Sequence, residues 1–197
     1  RTFWVALYIL TYIFHILGAV AWFMSHCNTT GLRDSYVAEL QKYIDVDIYG
    51  YLKCYQMLES RYFFYLSFEN SLCQDYVTEK LFNAMSYNIV PIVYGAANYT
   101  EFTLPGSYIN VADFDNPKQL AAHLRYLMSD LEEYAKFFWW KKHFFVDDHH
   151  YISLCQMCKM LHDEESLTSS NILDLTKWWS EGKCQDPKEF LDGITRY

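Results

Sequence analysis

The sequence predicts an α/β protein organised on a Rossmann-like parallel sheet. Between Ala19 and Val111, apolar runs of strand length alternate with segments whose apolar residues recur at helical spacing. That alternation is typical of strand–helix–strand units, in which a helix carries the chain back to begin the next parallel strand. The chain has 197 residues, of which 52% are hydrophobic, and this is enough for a packed core.

Five strands and four helices are predicted in order along the chain. The strands are AVAWFMS, VDIYG, YFFYLSF, IVPIVYG and SYINVADF. The fourth strand is imperfect, because Pro91 has no amide to donate and indicates a local break in the ladder. The helices are DSYVAELQKYI, YVTEKLFNAMSYN, KQLAAHLRYLMSD after Asn116-Pro117, and the aromatic-rich LEEYAKFFWWKKHF. We therefore divide the chain into an apolar N-terminal segment, 1–17, a sheet-bearing nucleotide-binding domain, 18–163, and a C-terminal tail, 164–197.

The N-terminal tract has two interpretations. Residues 2–24 are almost uninterruptedly apolar, about the ~20 residues that cross a bilayer, and Arg1 could hold the cytoplasmic side. The end of this tract, AVAWFMS, also fits a buried strand, which would leave only residues 1–17 for a membrane anchor or a packed helix. Both interpretations stay open at the level of sequence.

Charge and cysteine content narrow the class of protein. A net charge of −8 disfavours a general nucleic-acid binder, which needs a basic surface. The 6 cysteines and the glycosylation sequons at Asn28 and Asn98 favour an oxidising secretory compartment. We prefer structural disulfides over a metal site, because the C-x-x-C of Cys155 and Cys158 is weak evidence for metal on its own. The pairing of the cysteines cannot be deduced from their spacing.

Polar side chains follow two of the predicted strands. Arg33 comes after AVAWFMS, and Asn70, Tyr76, Glu79 and Lys80 come after YFFYLSF. Parallel sheets bind ligands beyond the carboxyl ends of their strands, so these residues are candidates for one site. Arg33 and Lys80 would supply positive charge for a diphosphate. Tyr76 could pack on a ring, and Asn70 and Glu79 could hydrogen-bond sugar hydroxyls.

The second of these loops also has a simpler interpretation. Asp75 is predicted to be the N-cap of the following helix, whose N-terminus would attract phosphate. The alternative is a solvated helix start with an incidental pair of Glu79 and Lys80. The sequence has no Walker lysine loop and no G-x-G-x-x-G after a strand, which disfavours ordinary ATPases and dinucleotide enzymes.

Longer motifs carry a more specific resemblance. FYLSFENS, followed by DYVTEKLFNA and then VPIVYG, resembles the donor-binding signature of the alpha-1,3-fucosyltransferase family. AWFMSHCNTTGLRDSYVAELQKYIDVDIYG resembles the segment that precedes this signature, and WWKKHF and the C-x-x-C fit the C-terminal part of the family. The resemblance extends from Ala19 to Cys184. It implies the donor-binding lobe of a GT-B type glycosyltransferase, without the N-terminal acceptor lobe that family members carry.

The resemblance implies a reaction and a role for each polar residue. GDP-fucose would be the donor substrate, and L-fucose would pass with inversion to N-acetylglucosamine of a glycan in alpha-1,3 linkage. Arg33 and Lys80 match the cations at the diphosphate, whereas Asn70, Tyr76 and Glu79 match positions that contact ribose and fucose. The sequence calls for no cofactor and no metal ligands, and stimulation by a divalent cation is left open.

The resemblance also implies a cellular location, and it leaves the catalytic base unassigned in this chain. Family members act on N-glycan or lactosamine acceptors as single-pass type II proteins of the Golgi membrane, and the tail TKWWSEGKCQD resembles invertebrate core-type members. Cysteines at the positions of Cys155 and Cys158 would pair elsewhere in relatives, so here they would be mutually bonded, mispaired or free. Because the catalytic base is expected in the N-terminal lobe, the alternative function is a catalytically incomplete GDP-sugar-binding fragment.

Overall fold

The fold is built on a five-stranded parallel sheet. The computed structural model describes residues 16–24, 29–50, 55–147, 151–162, 174, 177, 179, 181 and 183–195. The strands are β1 (Gly18–Phe23), β2 (Val46–Tyr49), β3 (Tyr62–Phe68), β4 (Val90–Tyr94) and β5 (Ile109–Asn110). Their order across the sheet is β2-β1-β3-β4-β5, and each neighbouring pair is parallel. The predicted α/β class with a parallel sheet is confirmed.

Helices connect these strands and continue beyond them. In chain order they are α1 (Arg33–Leu40), α2 (Tyr55–Arg61), α3 (Glu79–Met85), α4 (Pro117–Ser129), α5 (Leu131–Lys136), α6 (Tyr151–His162) and α7 (Pro187–Thr195). The first three lie between successive strands, as strand–helix–strand units require. The predicted start of α4 is confirmed, because Pro117 occupies its first turn and the Asn116 side chain accepts the amide of Gln119 at 3.0 Å.

The core lies on both faces of the sheet. Val20 and Trp22 of β1 belong to a cluster that includes residues of α1 and α4, whereas Ala21 and Phe23 belong to one that includes Leu58 of α2. All seven residues of β3, at the centre of the sheet, are buried. Burial on both faces explains why these strands read as continuous apolar runs instead of alternating ones.

Several predicted elements are shorter than their sequences suggested, and a strand and a helix show the reason. The strand SYINVADF is reduced to β5, because the Asn110 side chain accepts the amide of Ala112 and turns the chain into a 3₁₀ turn at Val111–Asp113. The aromatic-rich helix is divided into α5 and a 3₁₀ turn at Trp139–Lys142. Phe138 and Trp140 are both buried, and residues two apart on one α-helix would not face the same way.

Pro91 does not break the sheet, so the predicted break is wrong. Pro91 is in register with Tyr65 of β3, and the pairing continues from Phe64 to Phe68. On the other side of β4, pairing with β5 involves only Ile92 and the residue after it. At Pro91, β4 is therefore an edge on that side, where a missing amide is tolerated.

The structure decides between the two interpretations of the N-terminal apolar tract for the residues that it describes. Gly18–Phe23 is a strand, so the strand interpretation of AVAWFM is confirmed, and residues 1–15 lie outside the described residues. Among the described ranges, no helix combines the length and the apolar character that spanning a bilayer requires. The predicted domain boundaries and the anchor stay predictions.

Candidate functional site

The candidate site lies where the carboxyl ends of β1 and β3 meet. In the order β2-β1-β3-β4-β5, the chain leaves β1 toward β2 on one side and leaves β3 toward β4 on the other. Loops diverge at such a topological switch point and leave a crevice, which is the usual place for ligands in open α/β sheets. The structure places all the predicted polar residues at this edge: Arg33, Asn70, Tyr76, Glu79 and Lys80.

The two loops at this edge are bonded to each other. The Gly31 amide donates to the Asn70 carbonyl at 2.7 Å, and the hydroxyls of Thr30 and Ser71 are 2.9 Å apart. The Tyr94 hydroxyl, at the end of β4, donates to the Gly31 carbonyl at 2.6 Å. A Cβ atom on Gly31 would lie 2.8 Å from the Asn70 carbonyl oxygen, so this close approach requires glycine. Hydrogen bonds therefore join the loops after β1 and β3 to each other and to the end of β4.

Arg33 is a buried residue at the start of α1. Its guanidinium donates to the Phe68 carbonyl at 2.7 Å and lies over the ring of Trp22, 5.4 Å from the centroid. Only 2% of the residue is exposed. Burial lowers the pKa of Arg33 below its ordinary value, while Asp34 and Glu69 act in the opposite direction. Arg33 therefore joins the ends of β1 and β3, and its contact with a diphosphate stays a prediction.

Lys80 belongs to a network with Glu69 and Thr78. The Lys80 ammonium donates to Glu69 Oε2 at 3.0 Å and to the Thr78 hydroxyl at 2.7 Å. The Thr78 amide donates to Glu69 Oε1 at 2.8 Å, and the Thr78 hydroxyl contacts both carboxylate oxygens, at 3.0 and 2.8 Å. The Glu69 side chain is 1% exposed and that of Lys80 is 18% exposed. The carboxylate is thus enclosed, whereas the lysine side chain is partly exposed at this edge of the sheet.

This network corrects the predicted start of the helix. Asp75 is not the N-cap: it has a left-handed φ of 59° in a turn, and α3 begins at Glu79 after Thr78. The Thr78 side chain makes no capping hydrogen bond, because its hydroxyl is bonded to Glu69 and Lys80 instead. Glu69 lies in the loop that was predicted to carry the site, but no role was predicted for its carboxylate. A threonine two positions before Lys80, with an acid at the strand end, is the signal that could have identified it.

The remaining predicted residues differ in exposure. Asn70 is half-buried, and its Oδ1 is buried without a hydrogen-bond partner among the described residues. Tyr76 is half-buried, and Glu79 is exposed on the first turn of α3. A buried acceptor without a partner is costly, so the Asn70 Oδ1 is an unsatisfied acceptor at this edge of the sheet.

The C-terminal segment packs directly beside this site. Cys73 and Cys184 form a disulfide between positions 111 residues apart. The Gln74 amide donates to the Lys183 carbonyl at 2.6 Å, so the two segments also pair through their backbones. The ring of Trp179 meets that of Tyr76 edge-on, with centroids 5.5 Å apart. The tail therefore forms part of the wall of the site, which sequence reasoning missed because the pairing partner is so distant.

The other cysteine and glycosylation predictions have mixed outcomes. Cys155 and Cys158 are free and exposed on α6, which is one of the three states that the sequence left open for them. The disulfide involves other cysteines because Cys73 and Cys184 are brought together by backbone pairing. Asn98 is exposed, with its side chain bonded to Glu101, and Asn28 lies outside the described residues. Glycosylation of either stays a prediction.

No metal centre is formed by the described part of the chain. Within it, no group of three or more His, Cys, Asp or Glu side chains could hold a metal ion. Positive charge at the site is supplied by Lys80, whose side chain is partly exposed, and by the buried Arg33. The arrangement is suited to an anion that approaches the partly exposed Lys80 ammonium.

Comparison with known proteins identifies the family. Residues 17–178 match the family model "Glycosyltransferase family 10 (fucosyltransferase) C-term". The chain belongs to glycosyltransferase family 10. It is 43% identical to glycoprotein 3-alpha-L-fucosyltransferase A of Drosophila melanogaster over 84% of its length, and 37% identical to alpha-(1,3)-fucosyltransferase C of the same organism over 81%. These matches cover 36% and 40% of the two relatives, so this chain spans well under half of their length.

Solved structures of alpha1,3-fucosyltransferases share the fold. A crystal structure of an alpha1,3-fucosyltransferase superposes with a TM-score of 0.56 at 26% identity, covering 62% of this chain and 37% of that one. A crystal structure of alpha1,3-fucosyltransferase with GDP-fucose gives a TM-score of 0.61 at 22% identity, covering 79% and 49%. The family 10 chain thus has the fold of one lobe of a GT-B type glycosyltransferase.

Proposed function

We propose that this chain is the donor-substrate-binding part of an alpha-1,3-fucosyltransferase. It binds GDP-fucose, and the full-length protein transfers L-fucose with inversion to N-acetylglucosamine of a glycan. The observation that carries the proposal is the Lys80 ammonium at the switch point. An ammonium has three N–H donors, and Glu69 and Thr78 accept two of them, at 3.0 and 2.7 Å. The third N–H is suited to an oxygen of the diphosphate.

The chemistry of transfer requires positive charge at this place. The acceptor hydroxyl attacks the anomeric carbon as the bond from that carbon to the diphosphate oxygen breaks. Negative charge grows on the leaving GDP while the sugar gains oxocarbenium character, and a nearby ammonium stabilises that charge. A carboxylate takes the proton of the acceptor hydroxyl, and we assign it to an acceptor lobe of the full-length protein. Lys80 is the residue of this chain best placed to touch the leaving group, and the buried Arg33 adds a second positive charge at the same edge of the sheet.

The acceptor is proposed to be the N-acetylglucosamine of an N-glycan core. The Drosophila relative at 43% identity is named a glycoprotein fucosyltransferase, and this supports an N-glycan over lactosamine. We place the protein in the Golgi membrane with a lumenal catalytic part, which fits the disulfide of Cys73 and Cys184 and the exposed sequon at Asn98. Stimulation by a divalent cation is tested by adding Mg²⁺ to the same assay.

Calorimetric titration of the chain with GDP-fucose tests this proposal. Wild type is expected to bind saturably, and Lys80→Ala is expected to weaken binding by about 1.5–3 kcal/mol, or roughly 10- to 150-fold in Kd. The matched control is Lys136→Ala, which removes a lysine that pairs with Glu133 on the exposed side of α5. Its affinity for GDP-fucose should equal that of wild type.

The outcomes separate the two candidate functions. Saturable binding of GDP-fucose, with no fucose transfer to an N-glycan acceptor even by the full-length protein, would indicate the alternative, a GDP-sugar-binding fragment that is catalytically incomplete. Transfer by the full-length protein would support the transferase, whereas transfer by the chain alone would exclude that alternative and also our assignment of the base to an acceptor lobe. A folded chain that does not bind GDP-fucose would refute both functions.

A further inference from the structure

We propose that Glu69 is a positioning residue that holds the Lys80 ammonium in place for the diphosphate. The inference rests on the proposed function and extends it to a residue that contacts no ligand itself. The geometry that carries it is a buried carboxylate bonded both to the lysine and to the threonine that accepts from the same lysine.

Both oxygens of the Glu69 carboxylate accept hydrogen bonds in this network. It receives the Thr78 amide, the Thr78 hydroxyl and the Lys80 ammonium, at distances between 2.8 and 3.0 Å. A carboxylate that is 1% exposed is stable only when it is paired and hydrogen-bonded. Its backbone is fixed too, because the Glu69 amide donates to the Tyr94 carbonyl at 2.9 Å. The anchor of Lys80 is therefore rigid at both ends.

A rigid anchor changes what the lysine can do. A free lysine side chain loses rotamer freedom when it binds, and this loss opposes binding. In this fold the ammonium is already held by two acceptors, and only one N–H remains for a ligand. The lysine is thus ordered before the diphosphate arrives, which lowers the entropic cost of binding.

The negative charge of Glu69 weakens the binding of an anionic ligand, whereas its positioning of Lys80 strengthens that binding. The sign of the change in affinity therefore distinguishes the two effects. A carboxylate 3.0 Å from the ammonium cancels part of its attraction for an anion. If Glu69 acted only through its field, Glu69→Gln would remove negative charge and tighten the binding of an anionic ligand. If Glu69 positions Lys80, the same substitution loosens the ammonium and weakens that binding. The two accounts predict opposite directions.

The experiment compares GDP and GMP as probes, because only GDP carries the diphosphate. Wild type is expected to prefer GDP over GMP, and Glu69→Gln should reduce this preference by roughly tenfold. On a Lys80→Ala background, Glu69→Gln should not reduce it further, since the positioned group is gone. Glu133→Gln is the matched control: it breaks the exposed pair of Glu133 and Lys136 and should leave the preference unchanged.

Thr78→Val provides a second route if Glu69→Gln does not fold. It keeps both charges and removes only the hydroxyl that bridges them, so a smaller loss of GDP preference is expected. An equal or stronger preference for GDP in folded Glu69→Gln, or in folded Thr78→Val, would overturn the positioning role while the proposed function stands. A wild-type chain that binds neither GDP nor GDP-fucose would instead refute the proposed function, and the positioning role with it.

Discussion

Arg33 and Phe68 join the first helix of the fold to the end of its central strand. The guanidinium of Arg33 donates to the Phe68 carbonyl at 2.7 Å, inside the protein and across 35 positions of sequence. Phe68 is the last residue of β3, immediately before Glu69. The arginine therefore helps to set the place from which the Glu69 side chain reaches Lys80.

Arg33→Ala is expected to lower the free energy of unfolding. The substitution leaves the buried Phe68 carbonyl without this donor, at a cost of about 1–3 kcal/mol, and adds the loss of packing over Trp22. Urea denaturation measures the effect. The control is Arg125→Ala, because Arg125 also donates to a backbone carbonyl, that of Tyr43, but in an exposed position. Equal losses of stability in the two variants would show that burial of Arg33 has no energetic consequence.

Gly31→Ala is expected to separate the two loops of the site. Its Cβ would lie 2.8 Å from the Asn70 carbonyl oxygen, so the backbone must shift, at a cost on the order of 1–3 kcal/mol. The midpoint of urea unfolding should fall, and affinity for GDP should fall with it. Gly50→Ala, where an added Cβ meets nothing within 4 Å, is the control. A Gly31→Ala protein with wild-type stability and affinity would contradict the close packing of these loops.

Loss of the disulfide should destabilise the protein and loosen the wall of the site. A crosslink between positions 111 residues apart strongly restricts the unfolded chain, and removing one costs about 2–5 kcal/mol. Cys184→Ser should lower the unfolding midpoint and weaken GDP binding, because Trp179 is no longer held against Tyr76. Cys158→Ser changes an exposed free thiol and should alter neither measurement. If reductant lowers the stability of Cys184→Ser as much as that of wild type, this disulfide is not the relevant bond.

Lys141 should make stability depend on pH in the alkaline range. Burial lowers its pKa to about 8, with Glu59 acting in the opposite direction, and its ammonium donates to the Tyr87 carbonyl and to Asn88. Between this value and the ordinary 10.5, the unfolded chain binds more protons than the folded one. The free energy of unfolding therefore rises with pH across that interval because of this group.

The difference between wild type and Lys141→Met isolates that contribution. Other titrating groups, including the tyrosines, affect both proteins equally and cancel in the difference. Unfolding measured from pH 7 to 10.5 should show wild type gaining stability relative to Lys141→Met above pH 8. Lys142→Met alters an exposed neighbour, so wild type should gain no stability relative to this variant above pH 8. Parallel curves for wild type and Lys141→Met would contradict the lowered pKa.

The sheet and the position of the site could be predicted because both follow from local patterns. Continuous apolar runs mark strands buried on two faces, and the carboxyl ends of parallel strands share one edge. Polar residues that directly follow such strands therefore come together whatever the exact length of the helices between them. This is why Arg33, Asn70 and Lys80 lie at one edge of the sheet, as predicted.

The contacts within the site could not be predicted, because they depend on distant partners and on exact backbone geometry. An arginine is rarely buried, and nothing near Arg33 in sequence indicates that its guanidinium will donate a hydrogen bond to the Phe68 carbonyl. Asp75 was predicted to precede α3 directly, but the residue at that position is Thr78, because the turn places Asp75 in a left-handed conformation. The bond of Cys73 to Cys184 depends on the path of the whole tail.

The crosslink of Cys73 and Cys184 also determines how the protein would respond to limited proteolysis. The bond encloses most of the chain after β3, including the exposed stretch around Phe145 and α6. A single cut anywhere within that enclosed stretch divides the polypeptide into two pieces that remain covalently attached. Nicked molecules would therefore migrate as one species until a reductant is added, and the segment that carries Trp179 would stay at the site despite the broken backbone.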